Sequence, residues 1–177
     1  MNRMKLATVW LDGCSGCHMS ILDLDERLLE ITGQCELVYS PLVDQKTFPA
    51  DVDITLVEGA VSSDEDAQKI RRIRGRTRTL VSLGDCAVTG NVPAMRNPFG
   101  AEKVLRRAYG DAAGAPLQVL GQGVPRLLPQ VRPVHEVVLV DVYVPGCPPS
   151  ADTIYSVLRE LLAGRMPDVT NETRFGA

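Results

Sequence analysis

Short apolar runs that stop at turn-forming residue pairs limit the folds open to this chain more than any other feature. The clearest are Lys5–Leu11 before Asp12-Gly13, Thr79–Leu83 before Gly84-Asp85 and Val137–Val144 before Pro145-Gly146. Runs this short that end at a turn are typical of buried strands rather than helices. Glu36–Tyr39 and Ile54–Val57 fit the same description. The sequence thus predicts a sheet built from buried strands.

Helical patterns separate these strands. Apolar residues recur at helical spacing over Met19–Ile31, with Gly33 placed to end that helix, and further helices are predicted over 64–74, 101–109 and 151–162. Strands that alternate with helices predict an α/β fold with an open parallel sheet and helices on both faces. Aromatic residues make up only 5% of the chain, so the core must be aliphatic. We expect one domain over residues 1–177, with a polar tail from about Pro167.

Composition and charge exclude several function classes. The formal net charge of −3 provides no basic field to attract nucleic acid or anionic lipid. The apolar runs are strand-sized and fall short of the roughly 20 residues that a membrane-spanning helix needs. The first residues lack the signature of a cleaved export signal, and we therefore expect the protein in the cytoplasm.

The five cysteines are the most informative residues for function, since an odd number in a reducing compartment favours metal or redox chemistry over a disulfide framework. Cys14, Cys17, Cys86 and Cys147 each come just after a predicted strand. The carboxyl ends of parallel strands meet at one edge of the sheet, so these four should converge there. Cys35 instead precedes a strand, at the opposite end, and is expected to be a small buried hydrophobe.

Four convergent thiolates suit either zinc or an iron–sulfur cluster. Structural zinc usually takes its cysteines from two local pairs, whereas this chain has only the pair Cys14 and Cys17. Cys147 is followed by Pro148, as in ferredoxin-type cluster loops, and one four-iron [4Fe–4S] cluster is the better fit. A stand-alone thiol redox protein that uses Cys14 and Cys17 stays open as an alternative, although it leaves Cys86 and Cys147 unexplained.

Three sequence blocks carry a family resemblance that extends over nearly the whole chain. They are Cys14-Ser15-Gly16-Cys17-His18, Gly84-Asp85-Cys86-Ala87-Val88-Thr89-Gly90-Asn91 and Val144-Pro145-Gly146-Cys147-Pro148-Pro149. Together they resemble the small subunit of nickel–iron hydrogenases. The resemblance implies a flavodoxin-like domain whose Cys14, Cys17, Cys86 and Cys147 bind the proximal [4Fe–4S] cluster. It also implies a separate large subunit that contains the nickel–iron site.

The resemblance also narrows the type of complex. The cluster-bearing subunit of respiratory complex I shares the last two blocks but has adjacent cysteines in the first, where Cys14 and Cys17 stand two residues apart. A complex I-like or other hydrogenase-related subunit is the alternative. The short length and the second block look most like the cytoplasmic NAD-reducing, or bidirectional, hydrogenases. That type implies iron–sulfur and flavin diaphorase partners, and a chain that is not catalytic alone.

Some positions depart from the family or stay outside its motifs. Many members have a glutamate, linked with proton movement, immediately before the first cysteine, and here that place is Gly13. His18 is expected to cap the following helix rather than to donate to the cluster. His135 has no motif around it. The Arg71–Arg78 group is expected to be a solvated helix end, with partner docking as the alternative.

Overall fold

A computed structural model describes residues 3–111, 123–173 and 175. In chain order its strands are β1 (Met4–Trp10), β2 (Cys35–Tyr39), β3 (Val52–Glu58), β4 (Val61–Ser63), β5 (Thr77–Leu83), β6 (Leu127–Arg132) and β7 (Val142–Val144). Five of them form a sheet in the order β2-β1-β3-β5-β7, and every pairing in it is parallel. This is the strand order of flavodoxin-like folds, in which ligands bind where the order reverses, beside β1 and β3.

Seven α-helices are present in the described part of the chain. They are α1 (Gly16–Leu22), α2 (Arg27–Gln34), α3 (Asp64–Arg74), α4 (Asp85–Thr89), α5 (Asn91–Ala94), α6 (Ala101–Leu105) and α7 (Ala151–Leu162). A π-helical segment, Arg106–Asp111, continues α6. The described helices include none that is long and apolar enough to cross a membrane.

Two hydrophobic clusters pack against opposite faces of the sheet. Consecutive strand residues alternate between them: Leu6 and Leu56 belong to the cluster that contains Ile154 and Leu158 of α7. Their neighbours Ala7 and Val57 belong to the cluster that contains Ile70 and Ile73 of α3. Because side chains of a strand point alternately to its two sides, this division places helices on both faces. The predicted α/β architecture is confirmed.

The helix expected over Met19–Ile31 is in fact two helices. The chain turns between α1 and α2, where Asp25 has a φ of 50°. A residue in this left-handed region cannot continue a right-handed helix. Leu24 in the turn is only 1% exposed and packs in the core, so the apolar spacing persists across the break. Gly33 does not end α2, which runs on to Gln34 and directly into β2.

The last predicted strand, Val137–Val144, is also shorter than expected. Only Val142–Val144 pairs with β5, and the chain before it contains a 3₁₀ turn over Val134–Glu136. The Asp141 carboxylate accepts from the backbone N–H of Leu80 and pairs with Arg74, which ends the regular ladder there. The antiparallel pair β4 and β6 was not predicted. Residues 112–122 lie outside the described part of the chain, as do positions 174, 176 and 177 of the predicted tail.

Candidate metal centre

The structure places Cys14, Cys17, Cys86 and Cys147 at the carboxyl edge of the sheet, where the sequence places them. Cys14 and Cys17 follow β1, with Cys17 in the first turn of α1. Cys86 lies in the first turn of α4 after β5, and Cys147 lies between β7 and α7. Cys17 is buried, Cys86 is half-buried, and Cys14 and Cys147 are exposed, so the group opens to the surface.

The four thiols lie close enough together to affect the pKa values of Cys17 and Cys86. Burial raises the pKa of the Cys17 thiol, and the charges of Glu58, Cys86, Cys14 and Cys147 raise it further. Burial and the neighbouring Cys147, Cys14 and Glu58 raise the pKa of Cys86 to about 11. Bound cations would favour the thiolate forms of Cys17 and Cys86 by offsetting their charge.

Backbone hydrogen bonds tie the loop after β5 to the loop after β7. The N–H of Gly84 donates to the carbonyl of Val144 at 2.8 Å, and the N–H of Asp85 donates to the carbonyl of Gly146 at 2.8 Å. The Asp85 side chain is 5% exposed and accepts from the Gly146 N–H at 2.7 Å. These bonds fix the two cysteine-bearing loops relative to each other.

Glu58, the last residue of β3, anchors the first cysteine loop. Its side chain is 3% exposed, and its carboxylate accepts from the N–H groups of Cys17 at 3.4 Å and His18 at 3.0 Å. Glu58 thereby satisfies free N–H groups at the start of α1. The expected capping role of His18 is wrong, because the carboxylate of Glu58 performs it from another strand.

The ring of His18 is buried and contacts Glu58 and Thr8 rather than the thiols. Its Nδ1 contacts a carboxylate oxygen of Glu58, and its Nε2 lies 3.0 Å from the hydroxyl of Thr8. Thr8 in turn donates to the hydroxyl of Ser40 at 2.8 Å. A buried polar chain of Glu58, His18, Thr8 and Ser40 therefore starts beside Cys17 and runs across β1 to the end of β2.

Sequence reasoning missed Glu58, although one signal for it exists. The residue is a carboxylate directly after an apolar strand and directly before Gly59, at the edge where the cysteines meet. A Cβ built on Gly13 would lie 3.6 Å from Oε1 of Glu58 and 3.2 Å from Cα of Gly59. The Glu58 carboxylate therefore lies beside the place where many family members have their glutamate.

The remaining singled-out residues lie away from the thiols. Cys35 is 1% exposed, begins β2 and donates from its Sγ to the carbonyl of Ile31 at 3.2 Å. It is buried at the opposite end of the sheet, as expected. His135 is exposed, and its ring lies edge to face on Tyr143.

Glycines leave room for the thiols. A Cβ on Gly84 would fall 2.2 Å from Sγ of Cys17, and one on Gly16 would fall 3.3 Å from Sγ of Cys14. Gly84 also has a φ of 83°, which L side chains rarely adopt. No side chain larger than hydrogen fits at position 84 without moving Cys17.

We expect Gly84→Ala to lower the free energy of unfolding more than Gly100→Ala. The φ of Gly100 is 81°, yet no atom lies within 4 Å of its virtual Cβ, so that variant carries only the left-handed penalty of about 1–2 kcal/mol. Gly84→Ala adds the clash with Cys17. Urea unfolding of both variants measures the difference, and equal destabilisation would show that the thiol simply moves aside.

Comparisons with known proteins show the family to which the chain belongs. The family model described as the NADH ubiquinone oxidoreductase 20 kDa subunit matches residues 14–161. The delta subunit of the NAD-reducing hydrogenase HoxS of Cupriavidus necator is 43% identical, with 94% of this chain and 82% of that protein covered. A subunit of the F420-non-reducing hydrogenase of Methanothermobacter marburgensis is 34% identical over 92% of this chain, which spans about half, 54%, of that relative.

Solved structures extend the likeness to three dimensions. A chain of an NAD⁺-reducing [NiFe]-hydrogenase, solved in the H₂-reduced state, superposes with a TM-score of 0.90 and 40% identity, with 98% of this chain and 99% of that one covered. A [NiFeSe]-hydrogenase chain of Desulfomicrobium baculatum shares the fold at a TM-score of 0.57 and 18% identity, with 98% and 69% covered. The chain therefore belongs to the family of the NADH ubiquinone oxidoreductase 20 kDa subunit and, within it, to the hydrogenase small subunits that its three cysteine blocks resemble.

Proposed function

We propose that this chain is the electron-transfer small subunit of an NAD-reducing nickel–iron hydrogenase and that Cys14, Cys17, Cys86 and Cys147 bind one [4Fe–4S] cluster. The observation that carries the proposal is the convergence of four thiols from three loops at one edge of the sheet. The cluster supplies one-electron transfer, and the protein supplies its ligands, its burial and its hydrogen bonds.

The donor set suits a cluster better than zinc. Structural zinc usually takes its cysteines from two local pairs, whereas this chain has one such pair, Cys14 and Cys17. A cubane instead binds each thiolate to a different iron atom, which needs wider spacing between the sulfur atoms. The position of Gly84 against Cys17 and of Gly16 against Cys14 leaves backbone close to the thiols, where N–H groups can reach inorganic sulfide.

Hydrogen chemistry is proposed to take place in a separate large subunit. The nickel–iron centre of the resembled family uses four thiolates of its own, and after the cluster is filled only Cys35, buried in the core, remains. Large exposed apolar side chains on or beside the site-forming elements support such a partner: Trp10, Met19, Val92, Met95 and Phe99. Exposed apolar residues of this size are typical of protein–protein interfaces.

Electrons are proposed to pass onward to iron–sulfur and flavin diaphorase subunits that react with NAD. Residues 148–177 contain no cysteine for a second cluster, and no dinucleotide-binding glycine motif is found in the sequence. We expect the flavin in those partners. From its sequence we expect the complex in the cytoplasm.

Metal analysis of the purified complex tests the cluster. We expect about four iron and four sulfide per copy of this chain beyond those of the partner subunits, and an EPR signal that appears on reduction. A chain filled with zinc and silent in EPR would overturn the proposal. A colourless chain with a Cys14–Cys17 disulfide would favour the thiol redox alternative instead.

We expect Glu58→Gln to raise the reduction potential of the cluster by an amount on the order of 50–100 mV. The substitution removes a buried negative charge beside Cys17. Because the reduced cluster is more negative than the oxidised one, removal of this charge stabilises the reduced form. An EPR-monitored redox titration measures the shift. Glu102→Gln, with the same charge change at a side chain that is 81% exposed, is the control and should leave the potential unchanged. Equal reduction potentials in the two variants would contradict the binding of the cluster beside Glu58 and Cys17.

A further inference from the structure

A cleft of about 200 Å³ lies between α3 and the loop that joins β2 to β3. We call it the basic cleft because four cations line it: Lys46, Lys69, Arg72 and Arg76. Tyr39 and Phe48, whose rings pack edge to face, complete most of its wall. Its lining contains no carboxylate.

None of the carboxylates in the part of the chain that the structure describes forms an ion pair with any of the four cations. The neighbouring Arg74 and Arg78, by contrast, pair with Asp141 and Asp53. Two of the cleft's cations are positioned by backbone carbonyls. Lys69 donates to Trp10 at 2.9 Å, and Arg76 donates to Phe48 at 2.7 Å.

The side chains of Lys46 and Arg72 also line the cleft, and both residues are exposed. Burial and the nearby Arg72 lower the pKa of Lys69, while Asp66 and Glu65 on its own helix raise it. Lys69 and Arg72 therefore lie close enough to repel each other, and Asp66 and Glu65 act on Lys69 without forming an ion pair with it. The cleft is thus locally positive in a chain whose formal net charge is −3.

Helix electrostatics explain only part of the cluster. Arg72 lies in the last turn of α3, where a cation interacts favourably with the helix dipole. Lys46 comes from a different segment, and Arg76 follows the end of the helix. The helix dipole therefore does not explain why Lys46 and Arg76 line the same cleft as Arg72.

We propose that the basic cleft binds one phosphate group, carried either by inorganic phosphate or by a small nucleotide. Arginine guanidinium groups bind phosphate oxygens in pairs, and a phosphate brings up to about two negative charges and several acceptors to the four cations. A single carboxylate of a partner protein would bring one charge. The volume of the cleft suits one tetrahedral anion with its water rather than a peptide segment.

Titration calorimetry at low ionic strength tests the site on the full chain, purified with the subunits that accompany it. The probes are inorganic phosphate and adenosine monophosphate. We expect saturable binding that Arg72→Gln and Lys46→Gln each weaken about tenfold and that added salt weakens further. Arg126→Gln, at a side chain that is 87% exposed and outside the cleft, is the matched control and should leave the affinity unchanged.

The two probes identify the source of the phosphate group. Tighter binding of adenosine monophosphate supports a nucleotide ligand, and equal or weaker binding supports inorganic phosphate. No saturation by either probe below about 10 mM would overturn the proposal. Equal weakening by Arg126→Gln would overturn it as well, because only net charge would then matter. Binding of polyglutamate without binding of either phosphate probe would reassign the cleft to an acidic protein partner.

Discussion

Serine in place of Cys14, Cys17, Cys86 or Cys147 should remove most of the iron and sulfide that belong to this chain. Hydrogen-dependent NAD reduction should fall by more than about a hundredfold, because loss of even an outer-shell partner of a metal site lowers affinity or activity 10–100-fold. A hydroxyl is a poor substitute for a thiolate ligand of iron. Iron and sulfide content, EPR and the NAD assay on each purified variant measure the loss.

Cys35→Ser is the matched control. Cys35 is 1% exposed at the opposite end of the sheet, and a serine hydroxyl can make the same bond to Ile31, so iron should be retained while stability falls by about 1–2 kcal/mol. Full activity in Cys86→Ser and Cys147→Ser would contradict the cluster assignment. A redox pair formed by Cys14 and Cys17 would behave in that way.

A complex of this chain with its large subunit alone should reduce an artificial dye with hydrogen but should not measurably reduce NAD. An artificial dye accepts single electrons, whereas NAD needs a hydride donor such as flavin, and this chain shows no dinucleotide motif. Adding back the diaphorase subunits should restore NAD reduction. The two assays are run on the same preparation.

The chain without any partner provides the control for this reconstitution and should take up no hydrogen. Dye reduction by the pair shows that the hydrogen site and the cluster are intact, so any failure with NAD then lies downstream. Full NAD reduction by the pair alone would show that the onward relay through separate subunits is wrong. Hydrogen uptake by the isolated chain would refute the placement of the hydrogen site in a partner.

Features with strong local signals were predicted well from the sequence. Asp64–Arg74 and Ala151–Leu162 are helices as expected, since acidic residues open the first and apolar periodicity marks the second. Turn pairs after apolar runs indicated strand ends, and the parallel topology then placed four cysteines at one edge. The hydrogenase resemblance of the three cysteine blocks is confirmed by the comparisons.

Features that depend on distant contacts were not predicted. The antiparallel pairing of β4 with β6 joins segments that lie more than sixty residues apart, as the pairing of Val61 with Arg132 shows. The last strand is short because Asp141 is bound by Leu80 and Arg74. Nothing in the local pattern around either segment encodes these partners.

Local sequence patterns were enough to predict the five strands of the parallel sheet, the helices over 64–74 and 151–162 and the edge at which Cys14, Cys17, Cys86 and Cys147 meet, because hydrophobic periodicity and turn residues act over a few neighbouring positions. The surroundings of the thiols, by contrast, depend on contacts between distant segments. Glu58 reaches His18 across 40 residues of chain, and Gly84 faces the sulfur of Cys17 from another loop. Such contacts form between segments that are distant in the sequence and come together in the sheet. Local sequence patterns therefore cannot identify the residues that surround the thiols.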